Sequence, residues 1–270
     1  DLHSFPTRRS SDLGNCARDE LSELARTFNR MLDRLQEGFQ QEQRFVSDAS
    51  HELRTPLTVI LGYSDLLSRW GREDKNTLDE GITAIRSEAE NMQQLIEKLL
   101  FLARADQKRM AVNKEDVDLA ALLADTIEKM QMVTLSHEVT LGANAPATVD
   151  ADPVLLRQLL RIFLENSVKY TPAGGHIHAC SVLSADGSEI TVTLSDDGIG
   201  IAPEHQAHIF DRFYRVDSSR TKETGGSGLG LSIALWIAEQ HNIKIALASA
   251  VDEGTTITLT IPTVTEADVP

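Results

Sequence analysis

Apolar positions recur at intervals of three and four through the N-terminal part of the chain and then give way to alternating runs, a change from helical to strand period. Leu21, Leu24, Phe28, Met31 and Leu35 form an a/d seam of the kind that pairs helices into coiled coils. Gly38 interrupts it, and a second seam runs from Phe45 through Val46, Ala49, Leu53, Leu57 and Ile60 to about Leu67. The polar, glycine-bearing stretch RWGREDKNT (69–77) predicts a turn. Leu78, Ile82, Ile85, Ala89, Met92, Ile96 and Leu99 then predict another helix, ending near Ala105. Two long helices joined by a short loop make an antiparallel hairpin. Each helix buries only one stripe, so a dimer forming a four-helix bundle is the economical arrangement. A monomeric hairpin packed on a second domain is the alternative.

Beyond a polar linker at 107–116 the pattern is mixed. Residues 119–132, 153–170 and 229–241 read as helices. HIHACSVL (176–183), EITVTLSD (189–196), IKIALASA (243–250) and TTITLTIP (255–262) alternate as half-buried strands do. SADG (184–187) suits a hairpin turn between the first two. The fold class expected is therefore two domains: an all-α hairpin, then an α+β sandwich with helices over one face of a largely antiparallel sheet. The stretch HSFPTRRSSDL (3–13) has no usable periodicity and resembles the translation of a sequencing-adapter oligonucleotide. Residues 1–18 are accordingly set aside as unstructured. The remaining expected divisions are a helix at 19–40, the hairpin at 41–106, the linker, the sandwich at 117–263 and a tail at 264–270.

Composition narrows the partners. With 26 basic against 41 acidic residues and a net charge of −15, nucleic acid and anionic membrane surfaces are poor partners. Cys16 and Cys180 form no CxxC pair, which points to a reducing compartment. No apolar run is long enough to span a bilayer.

Five segments carry chemistry. In SHELRTPL (50–57), His51 lies about 200° around the helix from Leu53, away from the seam. Glu52 stands beside it, Thr55 one turn further, and Pro56 predicts a bend. Position i+4 from the histidine is threonine, so the segment is not a zinc-protease helix. In ENSVKYTP (165–172), Asn166, Lys169 and Tyr170 share a face. The amide is a hard ligand suited to Mg²⁺, and the ammonium is a point charge for phosphate. In SDDGIGI (195–201), Asp196 precedes Gly198 and Gly200; its carboxylate can accept from an exocyclic amine such as that of adenine. In GGSGLGLSI (225–233), Gly226, Gly228, Leu229 and Gly230 open a helix, an arrangement suited to anions. Between the last two, IFDRFYRVDSSRTKETGG has the composition of a mobile lid, from which Arg212 or Arg215 reaches a terminal phosphate.

In this order and spacing the segments resemble the sensor histidine kinases of two-component systems: SHELRTPL the histidine box, ENSVKYTP the asparagine box, DDGIGI and GGSGLGLSI the glycine boxes, and IFDRFYRVD the phenylalanine box. DELSELARTFNRMLDRL (19–35) is similar to the last helix of a HAMP module. The resemblance implies His51 as phosphoacceptor, Glu52 as its acid–base partner and Thr55 as a phosphatase residue. It implies Asn166 as the Mg²⁺ ligand, Lys169, Tyr170 and Arg215 as nucleotide contacts, and Asp196 as the reader of adenine. Gly198, Gly200, Gly226, Gly228, Leu229 and Gly230 would line the ATP. It further implies a homodimer, a cognate response regulator, no nucleic acid, and a membrane reached only through a missing N-terminal part. The region would be the cytoplasmic portion of a bacterial inner-membrane protein. Ile162 departs from the pattern, standing where relatives often carry another asparagine. Two other readings remain: an ATP-driven clamp of the same superfamily, and a catalytically inactive dimeric scaffold.

Overall fold

The computed structural model describes residues 11–70, 74–107, 110–216 and 226–264. The hairpin turn about Gly71 and the lid run at 217–225 lie outside them. The chain divides into two compact units at the Thr55–Pro56 bond.

The first unit is helical, the N-terminal part of α1 (Ser11–Trp70). This helix begins inside the stretch expected to be unstructured, and it passes Gly38 without a break. Helix propagation explains both: once nucleated, each further residue gains a backbone bond for a single residue fixed. One glycine costs only about 1 kcal/mol. Phe28, Leu32, Leu35, Phe39 and Val46 lie along α1 at spacings that keep them on one stripe, and all are exposed (54, 45, 62, 62 and 58%). Pro56 sits inside α1, and the boundary between the units falls at the residue whose missing N–H weakens the helix.

The second unit holds the end of α1, α2 (Lys75–Asp106) and the sandwich. Asp74 caps α2 by accepting from the Asn76 N–H at 3.0 Å and the Thr77 hydroxyl at 2.7 Å, and these bonds hold its carboxyl below the usual range. Gly81 of α2 lies against Leu67 of α1, so the two helices pack beside the turn as a hairpin. The sandwich follows as β1 (Glu115–Asp118), α3 (Leu119–Val133), β2 (Glu138–Asn144), β3 (Thr148–Ala151), α4 (Pro153–Tyr170), β4 (His176–Leu183) and β5 (Glu189–Asp196). A short helix α5 (Pro203–Gln206), then α6 (Gly230–Gln240), β6 (Lys244–Ala250) and β7 (Gly254–Pro262) complete it.

The main sheet has the order β2-β4-β5-β7-β6, antiparallel except where β2 runs parallel to β4; β1 and β3 pair separately. The linker expected at 107–116 therefore ends in a strand, and β2 and β3 join the elements predicted from alternation. Helix α4 is the centre of the core. Leu155, Leu156, Leu159, Leu160, Phe163 and Leu164 are buried on it, as are Ile177 and Ala179 of β4, Ile190, Val192 and Leu194 of β5, and Leu259 and Ile261 of β7. Its start is fixed by Asp152, whose side chain accepts from the Val154 and Leu155 N–H groups at 3.0 and 3.1 Å, a cap contributing about 1 kcal/mol. The Asp152 N–H in turn donates to Nε2 of the buried His241, 3.0 Å away.

The far end of α2 docks on this domain. Leu95, Leu102 and Ala105 are buried, the Phe101 ring meets Trp236 of α6 edge-on at 5.2 Å between centroids, and Asp106 receives a two-pronged pair from Arg212 at 2.6 and 2.7 Å.

Candidate functional site

The predicted residues fall into two sets, one in each unit. In the first, His51 is exposed, Glu52 half-buried and Thr55 exposed. A helix displays His51 because Ala49 and Leu53, two residues to either side, turn to the opposite, half-buried face. Thr55 is one turn along, and its hydroxyl lies 3.5 Å from the His51 carbonyl, the bond a mid-helix threonine makes to its own preceding turn.

The second set gathers around the C-terminal ends of α4 and β5. Asp196 is the best-supported polar group there. Its Oδ1 accepts from the N–H groups of Gly198 (3.1 Å) and Thr255 (3.2 Å), and its Oδ2 accepts from the Ser167 hydroxyl (2.8 Å). Burial pushes this carboxyl up from its ordinary value, and the three donors pull against that shift. The turn after it is clamped from two sides. The Ile199 N–H donates to the Tyr170 carbonyl at 3.1 Å, and the Asp252 N–H to the Ile199 carbonyl at 2.9 Å. Gly200 has a φ of 65°, and a Cβ there would collide with the Ala250 carbonyl. That backbone position needs glycine.

Asn166, Lys169 and Tyr170 lie at the last turns of α4, as their spacing predicts. Lys169 Nζ stands 5.0 Å from the centre of the Tyr170 ring and packs so closely on Gly226 that a Cβ at that residue would strike the ammonium. Burial, and next the charge of Arg215, lower the Lys169 pKa. Burial raises that of Tyr170, against the influence of Arg215. Lys169, Tyr170, Arg215 and Gly226 thus share one locality. Gly228, Leu229 and Gly230 follow into the start of α6, where the Gly228 carbonyl accepts from Phe213 N–H at 3.0 Å. Arg212, the other arginine expected at a phosphate, is instead the partner of Asp106. The hydroxyls of Thr171 and Ser227 are buried with no hydrogen-bond partner among the described residues. Such groups cost about 1–3 kcal/mol each, so this locality carries polar capacity that the described residues do not satisfy.

A metal fits the same place. The Asn166 side chain is half-buried and hydrogen-bonds to no described residue, leaving a hard oxygen available. Magnesium takes one or two protein ligands and completes its shell with phosphate and water, which a single amide beside Lys169 suits. Motif reading passed over Ser167 and Thr255. Ser167 had a legible signal, since it continues the buried line of Leu156, Leu160 and Phe163; a polar side chain on an apolar stripe needs a partner. The Thr255 contact is a backbone one and has no side-chain signal.

These features define a nucleotide-binding sandwich of the ATPase type, preceded by helices that display a histidine. Residues 151–265 match the family described as histidine kinase-, DNA gyrase B-, and HSP90-like ATPase. Residues 41–108 match the His Kinase A (phospho-acceptor) domain, and residues 12–37 the HAMP domain. Over 242 residues the chain is 39% identical to the sensor histidine kinase YkoH of Bacillus subtilis (strain 168), covering 89% of this chain and 52% of that protein. Over 239 residues it is 36% identical to the signal transduction histidine-protein kinase ArlS of Staphylococcus haemolyticus (strain JCSC1435), covering 88% and 52%. The chain thus spans about half the length of the curated relatives it matches. The fold is shared with the histidine kinase AdeS of Acinetobacter baumannii (TM-score 0.61, 20% identity, 80% of this chain and 98% of that one). It is also shared with full-length ShkA in complex with AMPPNP (TM-score 0.61, 25% identity, 83% and 46%). The chain belongs to the sensor histidine kinases of two-component systems.

Proposed function

We propose that this chain transfers the γ-phosphoryl group of ATP to His51 and then passes it to an aspartate of a response regulator. The observation that carries the reading is the coexistence, in one chain, of a solvent-facing histidine on a helix and a half-buried carboxylate held by three donors, with a phosphate-type lysine on the last turn of the same helix that supplies one of them. A ring nitrogen of neutral His51 supplies the lone pair that forms the N–P bond; the bond from the γ-phosphorus to the bridging oxygen breaks, and ADP leaves with that electron pair. Glu52 holds the imidazole tautomer and takes up the ring proton. Asp196 accepts from the adenine amine, while Lys169, with Arg215 nearby, draws the phosphates toward the loop at Gly226 and Gly228. Asn166 would hold Mg²⁺, whose contribution when bound is to neutralise charge on the phosphates.

Thr55 is assigned to the reverse function, orienting a water for hydrolysis of the regulator's aspartyl phosphate. The exposed stripe from Phe28 to Val46 supports a homodimer, because a second copy of the same stripe would cover it. No helix among the described residues is long and apolar enough to cross a membrane. The HAMP match supports a whole protein anchored in one, with this region on its cytoplasmic side. The test is incubation with γ-labelled ATP and Mg²⁺: protein-bound label that is lost in acid and retained in base is a phosphoramidate. Label with the opposite stability, or none, overturns the reading.

A further inference from the structure

We infer that Ser167 is a positioning residue for nucleotide selection, fixing which lone pair of Asp196 is left to read the base. This rests on the assignment of Asp196 as the adenine reader. An ionised carboxylate offers about four acceptor directions, two on each oxygen. On Asp196, both directions of Oδ1 are taken by the backbone N–H groups of Gly198 and Thr255, at 3.1 and 3.2 Å. One direction of Oδ2 is taken by the Ser167 hydroxyl, at 2.8 Å. A single direction remains, on Oδ2. A ligand amine that donates there is aligned by default; a ligand presenting a carbonyl oxygen at the same point meets a lone pair and is repelled.

Ser167 is well placed for this task. It is 7% exposed, and its position on the buried line of α4 means that its hydroxyl has a fixed approach to the carboxylate rather than a free rotor in water. The other two donors belong to the backbone, so Ser167 is the one side chain in the set. It also bears on ionisation. Burial raises the Asp196 pKa, the Ser167 bond is the largest influence lowering it, and the adjacent Asp197 adds a weaker upward push. Asp197 is itself bound to His176, whose Nδ1 lies 2.8 Å from it, and the other titratable groups nearby on α4 are Lys169 and Tyr170 of its last turn. Removing the serine hydroxyl therefore frees a second direction on Oδ2 and lets the carboxyl protonate at higher pH, where it can no longer accept in the required sense.

The experiment compares wild type, Ser167→Ala, Ser167→Cys and Asp196→Asn in the whole chain. It measures ADP and GDP binding from pH 5 to 8, and the Asp196 carboxyl titration by carbon-13 NMR without nucleotide. For Ser167→Ala the expected results are about tenfold weaker ADP binding at neutral pH, a narrowed preference over GDP, an acid limb of ADP binding displaced to higher pH, and a raised Asp196 titration. Ser167→Cys, a weaker donor of similar shape, falls between, and it carries the test if the alanine variant does not fold. A uniform loss of affinity with an unmoved pH profile and titration would mean that Ser167 only packs, and the inference falls. Wild-type binding by the serine variants alongside impaired Asp196→Asn also overturns the inference but leaves the adenine reading standing. Wild-type binding by Asp196→Asn overturns both.

Discussion

The sandwich and the helix ahead of it distribute their apolar side chains in opposite ways. In the sandwich, Leu156, Leu159, Leu160, Phe163 and Leu164 of α4 are almost wholly removed from water within a single chain. Along α1, Phe28, Leu35, Phe39 and Val46 are each more than half exposed. The same residue types therefore stabilise one region by internal packing, while the other gains little until another surface covers it. The sandwich closes a core of its own, whereas the apolar stripe of α1 ahead of His51 is left for another surface to cover.

The sharpest way to test that division is His51→Gln. It should abolish the acid-labile label while ATP affinity, measured by titration, stays as in wild type. A stable label in the variant would put the acceptor elsewhere. Next comes a matched pair of truncations. Phe163→Ala, in the closed core, should cost about 3–5 kcal/mol in unfolding of the sandwich. Leu35→Ala should leave that transition unchanged and instead weaken self-association in sedimentation. If Leu35→Ala lowers the sandwich melting point and leaves association alone, the comparison fails.

A smaller effect is expected at Thr55→Ala, where phosphatase activity toward the phosphorylated regulator should fall about ten- to a hundredfold, the value of an orienting bond of about 1.5–3 kcal/mol. Self-phosphorylation should be largely spared. A parallel fall in both rates would make Thr55 structural.

The least effect is one of pH on the sandwich alone. His241 is buried, and desolvation holds its pKa below the ordinary 6.5. Between the folded value and 6.5 the unfolded chain binds more protons, so stability should decline as pH falls through that window. His176 acts in the opposite sense: its bond to Asp197 raises its pKa, so its contribution is present below 6.5 and lost as pH rises through the folded value. Being exposed, it is screened and weaker. Melting temperatures from pH 7 to 5 should therefore drop in wild type and drop less in His241→Gln.

The two regions also differed in how openly the sequence announced them. The bounds of α4, β4 and β5 coincide with those read from the hydrophobic pattern, because each buries one clean face. β1 has no such face; in EDVD only Val117 is buried, and four residues cannot express a period. β2 is an edge strand whose burial is irregular along its length, and its pairing with β4 shifts register between Leu141 and Asn144. At the end of α4 and β5, the groups expected to meet a ligand through charge or glycine backbone were legible from residue type. Ser167 showed only as a polar residue on an apolar stripe that needs some partner; that the partner is Asp196, and that the Thr255 N–H joins it, was not legible, because it depends on bringing α4 and β7 to the end of β5.

The edge-on packing of Phe101 against Trp236 gives this chain a built-in optical probe. It contains two tryptophans, Trp70 and Trp236, so a Trp70→Phe background leaves one emitter, seated where α2 meets α6. An indole against a phenyl edge emits at shorter wavelength than one in water. The emission of unlabelled protein therefore reads the docking of α2 on the nucleotide domain directly, in real time, and independently of any radioactive assay.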